Sequence, residues 1–252
     1  MKKLFTYFIV CVLSLSLVGC SSSKNNDDIL RFFDAFHYTL DAKSANVTGS
    51  LDMKNNKNTS KIKVNASLIQ EDKIQLALKL GLESNENTAN DFIEFYIKDG
   101  KTYLKNRGTT SQSVASKIGI EDGKRLSSID PFLSYSDEEL ENFFTASSRN
   151  GNTYTFTIDP DKLSQLLDDL GSVSVSEANV EATISKKHIT HLKLYAKGTM
   201  SVSSKKTNTF EFTLNVQIKD YNQVKEVTYP DNLESYEKSA VSNGQWCQPK
   251  ND

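Results

Sequence analysis

The sequence predicts a mainly β, α+β fold of about 10–11 antiparallel strands, interrupted by helices and with one face apolar. Three observations predict it. Long stretches alternate apolar and polar residues with period two, the pattern of strands with one wet face. Short segments with helical spacing precede and separate these runs. The apolar face that the alternation defines is too wide to stand in water, so helices, closure of the sheet or a ligand must cover it.

The first residues read as an export signal, not as part of the fold. Lys2 and Lys3 are followed by the uncharged apolar stretch Leu4 to Leu17, which is short for a membrane-spanning helix. Leu17-Val18-Gly19-Cys20 then matches the bacterial lipobox, which predicts cleavage between Gly19 and Cys20 and a diacylglyceryl group on the Cys20 thiol. Residues 1–19 are therefore expected to be a lipoprotein signal peptide, with 20–28 as a polar tether. Two acyl chains, at roughly 0.8 kcal/mol per buried CH2, make a durable anchor. The expected location is the extracytoplasmic face of the cell membrane.

Ile29, Phe32, Phe33, Phe36 and Leu40 recur at helical spacing, predicting a helix from Ile29 to about Ala42 capped by Asp27 or Asp28. Strand alternation follows at Val47 to Met53, Ile62 to Leu68, Ile74 to Leu80 and Ile93 to Ile97. Asp99-Gly100 is a two-residue hairpin turn into Thr102-Tyr103-Leu104. Ser111 to Ile118 reads as a short helix and Ile129 to Leu133 as an apolar bend. Ser136 and Glu139 form a capping box for a helix expected to run to Ala146 and to bury Leu140, Phe143 and Phe144.

Asn150-Gly151 turns into a strand with Tyr154, Phe156 and Ile158. Asp159-Pro160 opens a helix striped by Leu163, Leu166, Leu167 and Leu170 and stopped by Gly171. The parity of apolar positions changes between Val175 and Ala178, which predicts a bulge near Ser176-Glu177. Strands with Leu192 to Ala196 and Phe210 to Ile218 follow, then a last strand from Val224 to Tyr229. The domain is expected to span 29–235, with 236–252 a polar tail that is loose or a helix fragment.

This order of elements resembles the LolA/LolB-like superfamily of lipoprotein-associated carriers, over about residues 29–235. The stretches Phe92 to Leu104, Ile129 to Leu133, Tyr154 to Ile158 and Val227-Thr228-Tyr229-Pro230 look like family positions. Lipid-anchored relatives of that fold occur in Gram-positive and mycobacterial envelopes, and composition also leans to a Gram-positive source. The resemblance implies a curved antiparallel sheet that forms an incomplete barrel covered by three to four helices, with an apolar cavity between sheet and helices that holds acyl chains. Its lining would come from Phe32, Phe33, Phe36, Phe143 and Phe144 on the helices. The sheet would add Leu76, Leu78, Phe95, Phe156, Phe210, Phe212 and Leu214. At helical spacing the same Phe residues also suit an ordinary core. No local motif assigns the cavity-gating Arg of the soluble carrier to Arg31, Arg107, Arg125 or Arg149.

Signatures of catalysis are missing from the chain. It carries no Gly-x-Ser-x-Gly elbow, His-Glu-x-x-His, phosphate-binding Gly loop or Cys-x-x-Cys. His188 and His191 have helical metal-ligand spacing, but they lie in a strand pattern, where residues three apart face opposite sides. His37 reads as a solvated or rim residue. The net charge of −2, more acidic once Lys2 and Lys3 are removed, argues against nucleic-acid partners and a polybasic membrane patch. Of three cysteines, Cys11 leaves with the signal and Cys20 carries lipid, so Cys247, beside Trp246, is unpaired. No catalytic residue, metal site or cofactor is expected. The leading expectation is a membrane-anchored, non-enzymatic protein that binds or shuttles a hydrophobic, lipid-like ligand. A cell-surface interaction or sensor module with a dry core is the alternative, and an envelope hydrolase has least support.

Overall fold

The computed structural model describes residues 24–56, 58–71, 73–84, 88–105, 126, 130–167, 173–203 and 206–240. Gly19, Cys20, the predicted helix Ser111–Ile118, Ile129, Arg107, Arg125, Leu170, Gly171, Trp246 and Cys247 lie outside them.

Helix α1 spans Asn26–Leu40, so it begins earlier than its apolar stripe. Its cap is Asn25 and not an aspartate: the Asn25 side chain accepts the backbone N–H of Asp28 at 3.2 Å. Asp27 and Asp28 occupy the first turn, where the helix dipole favours negative charge. Strands β1 (Ser44–Asn55), β2 (Asn58–Gln70), β3 (Ile74–Ser84), β4 (Thr88–Lys98) and β5 (Lys101–Lys105) then form a meander. Asp99 and Gly100 both take positive φ, 51° and 71°, as a two-residue turn of this hand requires.

The capping box forms as predicted, but helix α2 covers only Asp137–Glu141. The expected continuation to Ala146 is overturned by strand β6 (Phe144–Asn150). Phe144 is buried either way. As a strand residue it pairs its backbone with Ile158 of β7 (Thr153–Ile158), and the Thr and Ser residues that follow have little helical preference. Helix α3 (Pro160–Leu167) is capped by Asp159, whose carboxylate accepts the N–H groups of Asp161 and Lys162 at 2.9 and 3.1 Å. Strands β8 (Val173–Ser185), β9 (His188–Ser203) and β10 (Lys206–Lys219) complete a second meander. The register of β8 on β9 shifts between Val175 and Glu177, which is the predicted bulge.

The predicted final strand Val224–Tyr229 is a segment without regular secondary structure, outside the sheet. The strand lies later, in the stretch expected to be loose: β11 (Glu237–Ala240) follows a 3-10 turn at Leu233–Ser235 and pairs with β5. Among the described residues eleven strands form one antiparallel sheet, in the order β11-β5-β4-β3-β2-β1-β10-β9-β8-β7-β6. β1 and β10 join the two meanders at its centre, and the sheet does not close.

Register explains why the alternation matters. One row across eight strands reads Ile93, Leu80, Val64, Gly49, Val216, Leu192, Ala182 and Tyr154. The next row reads Glu94, Lys79, Asn65, Thr48, Gln217, His191, Thr183 and Thr153. Partners across a ladder face the same side, so the local period of two becomes one continuous apolar face and one polar face. Gly49 and Gly198 sit on the apolar face where the strands coil tightly. A Cβ at Gly49 would stand 2.4 Å from the Asn215 carbonyl oxygen.

Candidate functional site

The apolar face is divided into three zones. Over β6–β9, helix α1 packs down and the interior is solid. Phe32, Phe33, Phe143, Phe144 and Phe156 are buried there, with Phe36, Phe210 and Phe212 at the border. The rings are in mutual contact: Phe144 stacks on Phe156 with centroids 4.6 Å apart, and Phe33 meets Phe132 edge-on at 4.8 Å. At the other end, Leu68, Ile74, Leu76, Phe95, Ile97 and Leu104 form a second cluster, against which Leu78 and Leu126 pack.

Between them lies the middle zone. Leu51 and Met53 of β1, Ile62 and Val64 of β2, Leu80 and Leu82 of β3, and Leu214 and Val216 of β10 are all only half-buried. Registers Leu51–Ile62, Ile62–Leu82 and Leu51–Leu214 place these side chains in one strip. α1 packs chiefly on β6, β8 and β9. This strip is the candidate ligand surface. The sequence-predicted lining residues are thus distributed: the Phe set fills the first cluster, Leu76 and Phe95 with Leu78 belong to the second, and Leu214 stands in the strip.

Polar ties fasten α1 beside the strip. Gln70, 2 % exposed, donates from its amide nitrogen to the carbonyls of Leu40 and Ala42, both at 2.7 Å. Its amide oxygen accepts the N–H of Leu126 at 2.8 Å. One buried side chain therefore joins the end of α1 to the border of the second cluster. Thr39 accepts the N–H of Ile189, and the Tyr221 hydroxyl donates to the Ile189 carbonyl. Burial pushes the Tyr221 phenol up to about 12, and the His188 ring stacks on it at 4.3 Å. Desolvation, then the charge of Lys187, lowers the His188 pKa. His37 pairs with Asp130 at 3.3 Å, and Asp130 also accepts the N–H of Phe132, which pins the apolar bend over α1. His191 bonds Asn215 at 2.8 Å. Among the described residues, no group of three or more His, Cys, Asp or Glu could hold a metal.

Among the described residues, the segment 224–240 runs over the polar face, from beside Asn46, Asn65 and Ser67 of β1 and β2 to β4 and β5. Tyr96, Tyr103, Leu233 and Tyr236 form a third buried cluster there. The Glu94 carboxylate, 5 % exposed, accepts from Tyr96 (2.9 Å), Tyr236 (3.1 Å) and Lys105 (2.6 Å). Burial alone would raise its pKa, but these donors outweigh burial and hold it below the ordinary 4.5. Sequence reasoning missed this clasp, although Tyr96 and Tyr103 on the wet parity were a signal for it.

A carboxylate with a depressed pKa stabilises the fold above its unfolded value, and that contribution is lost as pH falls through the folded value. The clasp is therefore expected to open below about pH 4.5, with amide exchange of β11 rising as acid is added. Glu94→Gln should remove that pH step. A step of the same size in the variant would show that another group controls the clasp.

Elsewhere on the polar face a groove of about 830 Å³ is lined by Thr48, Ser50, Asn65, Lys61, Lys63 and Lys79, among others. Lys61 and Lys63 are already paired with Asp52 and Glu83.

No protein-family model matches the chain, and neither does any curated protein. Among solved structures it is similar to LprF from Mycobacterium bovis, at 14 % identity and a TM-score of 0.42, over 84 % of this chain and 99 % of that one. It is more loosely similar to a β-barrel-like protein of domain of unknown function DUF1849 from Brucella abortus (10 % identity, TM-score 0.17, 71 % and 100 % covered). The Pseudomonas aeruginosa MucA/MucB complex gives 9 % identity and a TM-score of 0.14, with 77 % and 98 % covered. Likenesses this distant assign no ligand or activity to the chain, whose open, mainly β, antiparallel architecture stands on its own strand registers.

Proposed function

We propose that the chain is a non-enzymatic lipoprotein, anchored through diacylglyceryl-Cys20 at the extracytoplasmic face of the cell membrane, that binds or shuttles a lipid-like ligand of the LolA type along the half-buried strip. The observation that carries this reading is the strip itself. Apolar side chains on four adjacent strands stop short of full burial between two zones that are packed. An acyl chain laid across them would gain roughly 0.8 kcal/mol per methylene removed from water, and no polar group need be satisfied. The expected partners are the membrane and one hydrophobic molecule.

Native mass spectrometry of the full chain carrying Cys20→Ala tests the reading directly. It should co-purify with lipid, or take up lipid offered in micelles. Leu51→Gln and Leu214→Gln, at half-buried positions, are expected to keep the fold and weaken uptake at least about tenfold, or about 1.4 kcal/mol. A chain that stays empty in every preparation, with no uptake on offer, would sink it. One observation favours the alternative of a cell-surface interaction or sensor module, namely the solid packing beneath α1. That module would show protein capture and no lipid dependence.

A further inference from the structure

Where the start of α1 meets β6 and β7, the structure gathers charge that the core does not need. Tyr154 of β7 is fully buried, and its hydroxyl is a buried side-chain polar atom with no hydrogen-bond partner among the described residues. The guanidinium carbons of Arg31 in α1 and Arg149 in β6 stand 5.8 and 4.9 Å from the centre of its ring. Each is a cation–π contact, and together they bring two like charges to one ring. Among the described residues one ion pair is made here: Asp28 lies 3.5 Å from Arg149, too long for a good bidentate pair. Arg149 also donates to the Gly151 carbonyl at 2.8 Å, which fixes its orientation. Arg31 has no carboxylate partner among the described residues and is exposed. Within the cluster Arg31 is thus left without an ion-pair partner among the described residues, and the Tyr154 hydroxyl without a hydrogen-bond partner.

Its position bears on what would fill it. The Asn25 N–H donates to the Ser147 hydroxyl at 2.7 Å, so the chain leaves the domain beside β6, close in sequence to Arg149. The residues from Cys20 to Asn25 reach at most about 18 Å when fully extended.

We propose that Arg31 and Arg149, held against Tyr154, bind the phosphate of an anionic phospholipid headgroup at the membrane end of the domain. The forked donors of guanidinium groups suit phosphate oxygens, and in the free protein Asp28 takes part of that place. The phosphate chemistry follows from the cluster alone. Its assignment to a lipid headgroup rests on the lipid-anchored reading given above.

The test uses the full lipidated chain in neutral maltoside micelles, titrated calorimetrically at constant ionic strength. Inorganic phosphate is expected to bind saturably where chloride does not. Phosphatidylglycerol added to the micelles should be taken up more tightly than neutral diacylglycerol. Arg31→Ala and Arg149→Ala should each weaken phosphate binding at least about tenfold, whereas Asp28→Asn, which removes the internal competitor, should strengthen it several-fold. A purely structural role for these residues would not produce opposite signs. Should Arg149→Ala fail to fold, Arg31→Ala at its exposed helix position and Asp28→Asn carry the test. Absence of saturable phosphate binding, or arginine variants within twofold of the parent, would overturn the site. Phosphate binding with no preference for phosphatidylglycerol over diacylglycerol would overturn the headgroup as its source. Uptake of neither lipid would instead overturn the strip reading and leave the phosphate result to stand by itself.

Discussion

Phe156→Ala is expected to destabilise the protein by about 3–5 kcal/mol, measured as a lower urea midpoint with an unchanged slope. Phe156 is fully buried in β7, and its ring meets Phe144 at 4.6 Å, Phe32 at 5.2 Å and Tyr154 at 6.4 Å. Two of these neighbours are themselves locked in ring contacts with Phe33. Such a surrounding cannot collapse into the space left by a lost ring, so the cost should approach the upper end of that range. Phe32→Ala should be nearly as severe, and the double variant should differ from the sum of the two because the rings share one contact network. The result also bears on function. A loss under about 1.5 kcal/mol would mean that the aromatic zone is loose enough to open, and would move the ligand surface beneath α1.

Gly198→Val should cost about 3 kcal/mol or more, for the opposite reason. A Cβ at Gly198 would stand 2.1 Å from the Ser174 carbonyl oxygen, 2.9 Å from the Val175 Cα and 3.0 Å from the Phe210 ring. The first two atoms are backbone. They can move only if β8 separates from β9 beside the bulge at Val175–Glu177. Poor soluble yield, or a native fraction whose β8–β9 amides exchange early, is the expected outcome. A variant with the parent's melting temperature would show that the sheet is not coiled so tightly there. Valine has strong strand propensity, so parent-like stability could not be explained by a weak local preference.

Much of the fold was legible because its signals are local. Alternation depends on a residue and its neighbours two positions away, so β1–β5 and β7–β10 could be read from Val47 to Ile218 with little error. Caps and turns are equally local. Ser136 with Glu139, Asp159 before Pro160, and Asp99-Gly100 each took the predicted conformation, because the partner lies within a few residues. The errors fall where a local pattern was ambiguous. Leu140, Phe143 and Phe144 satisfy a helical stripe, but in β6 Phe144 pairs with Ile158 and, past a bulge that no helical or strand period announces, Ser147 pairs with Phe156 and Arg149 with Tyr154. Val224 to Tyr229 has the alternation of a strand but finds no ladder. Its role is to cross the polar face and bring Tyr236 to Glu94.

What the sequence by itself determined is the two-faced sheet, its turns and caps, the helical cover, and a signal-and-lipidation motif at Cys20 whose consequence is an expectation. What only the tertiary structure decided is which part of the apolar face is left without cover. Phe156 and Leu214 carry the same signature, an apolar residue at the inward parity of a strand. One is sealed under α1 and the other stands half-buried beside it. Periodicity states which way a side chain points. Whether another element lies on top depends on strand order and on where α1 lands, and those are set by contacts between residues more than a hundred positions apart, such as Asn25 with Ser147 and Thr39 with Ile189. The Arg31–Tyr154–Arg149 cluster has the same origin: three unremarkable positions in sequence meet because a helix and two strands cross there.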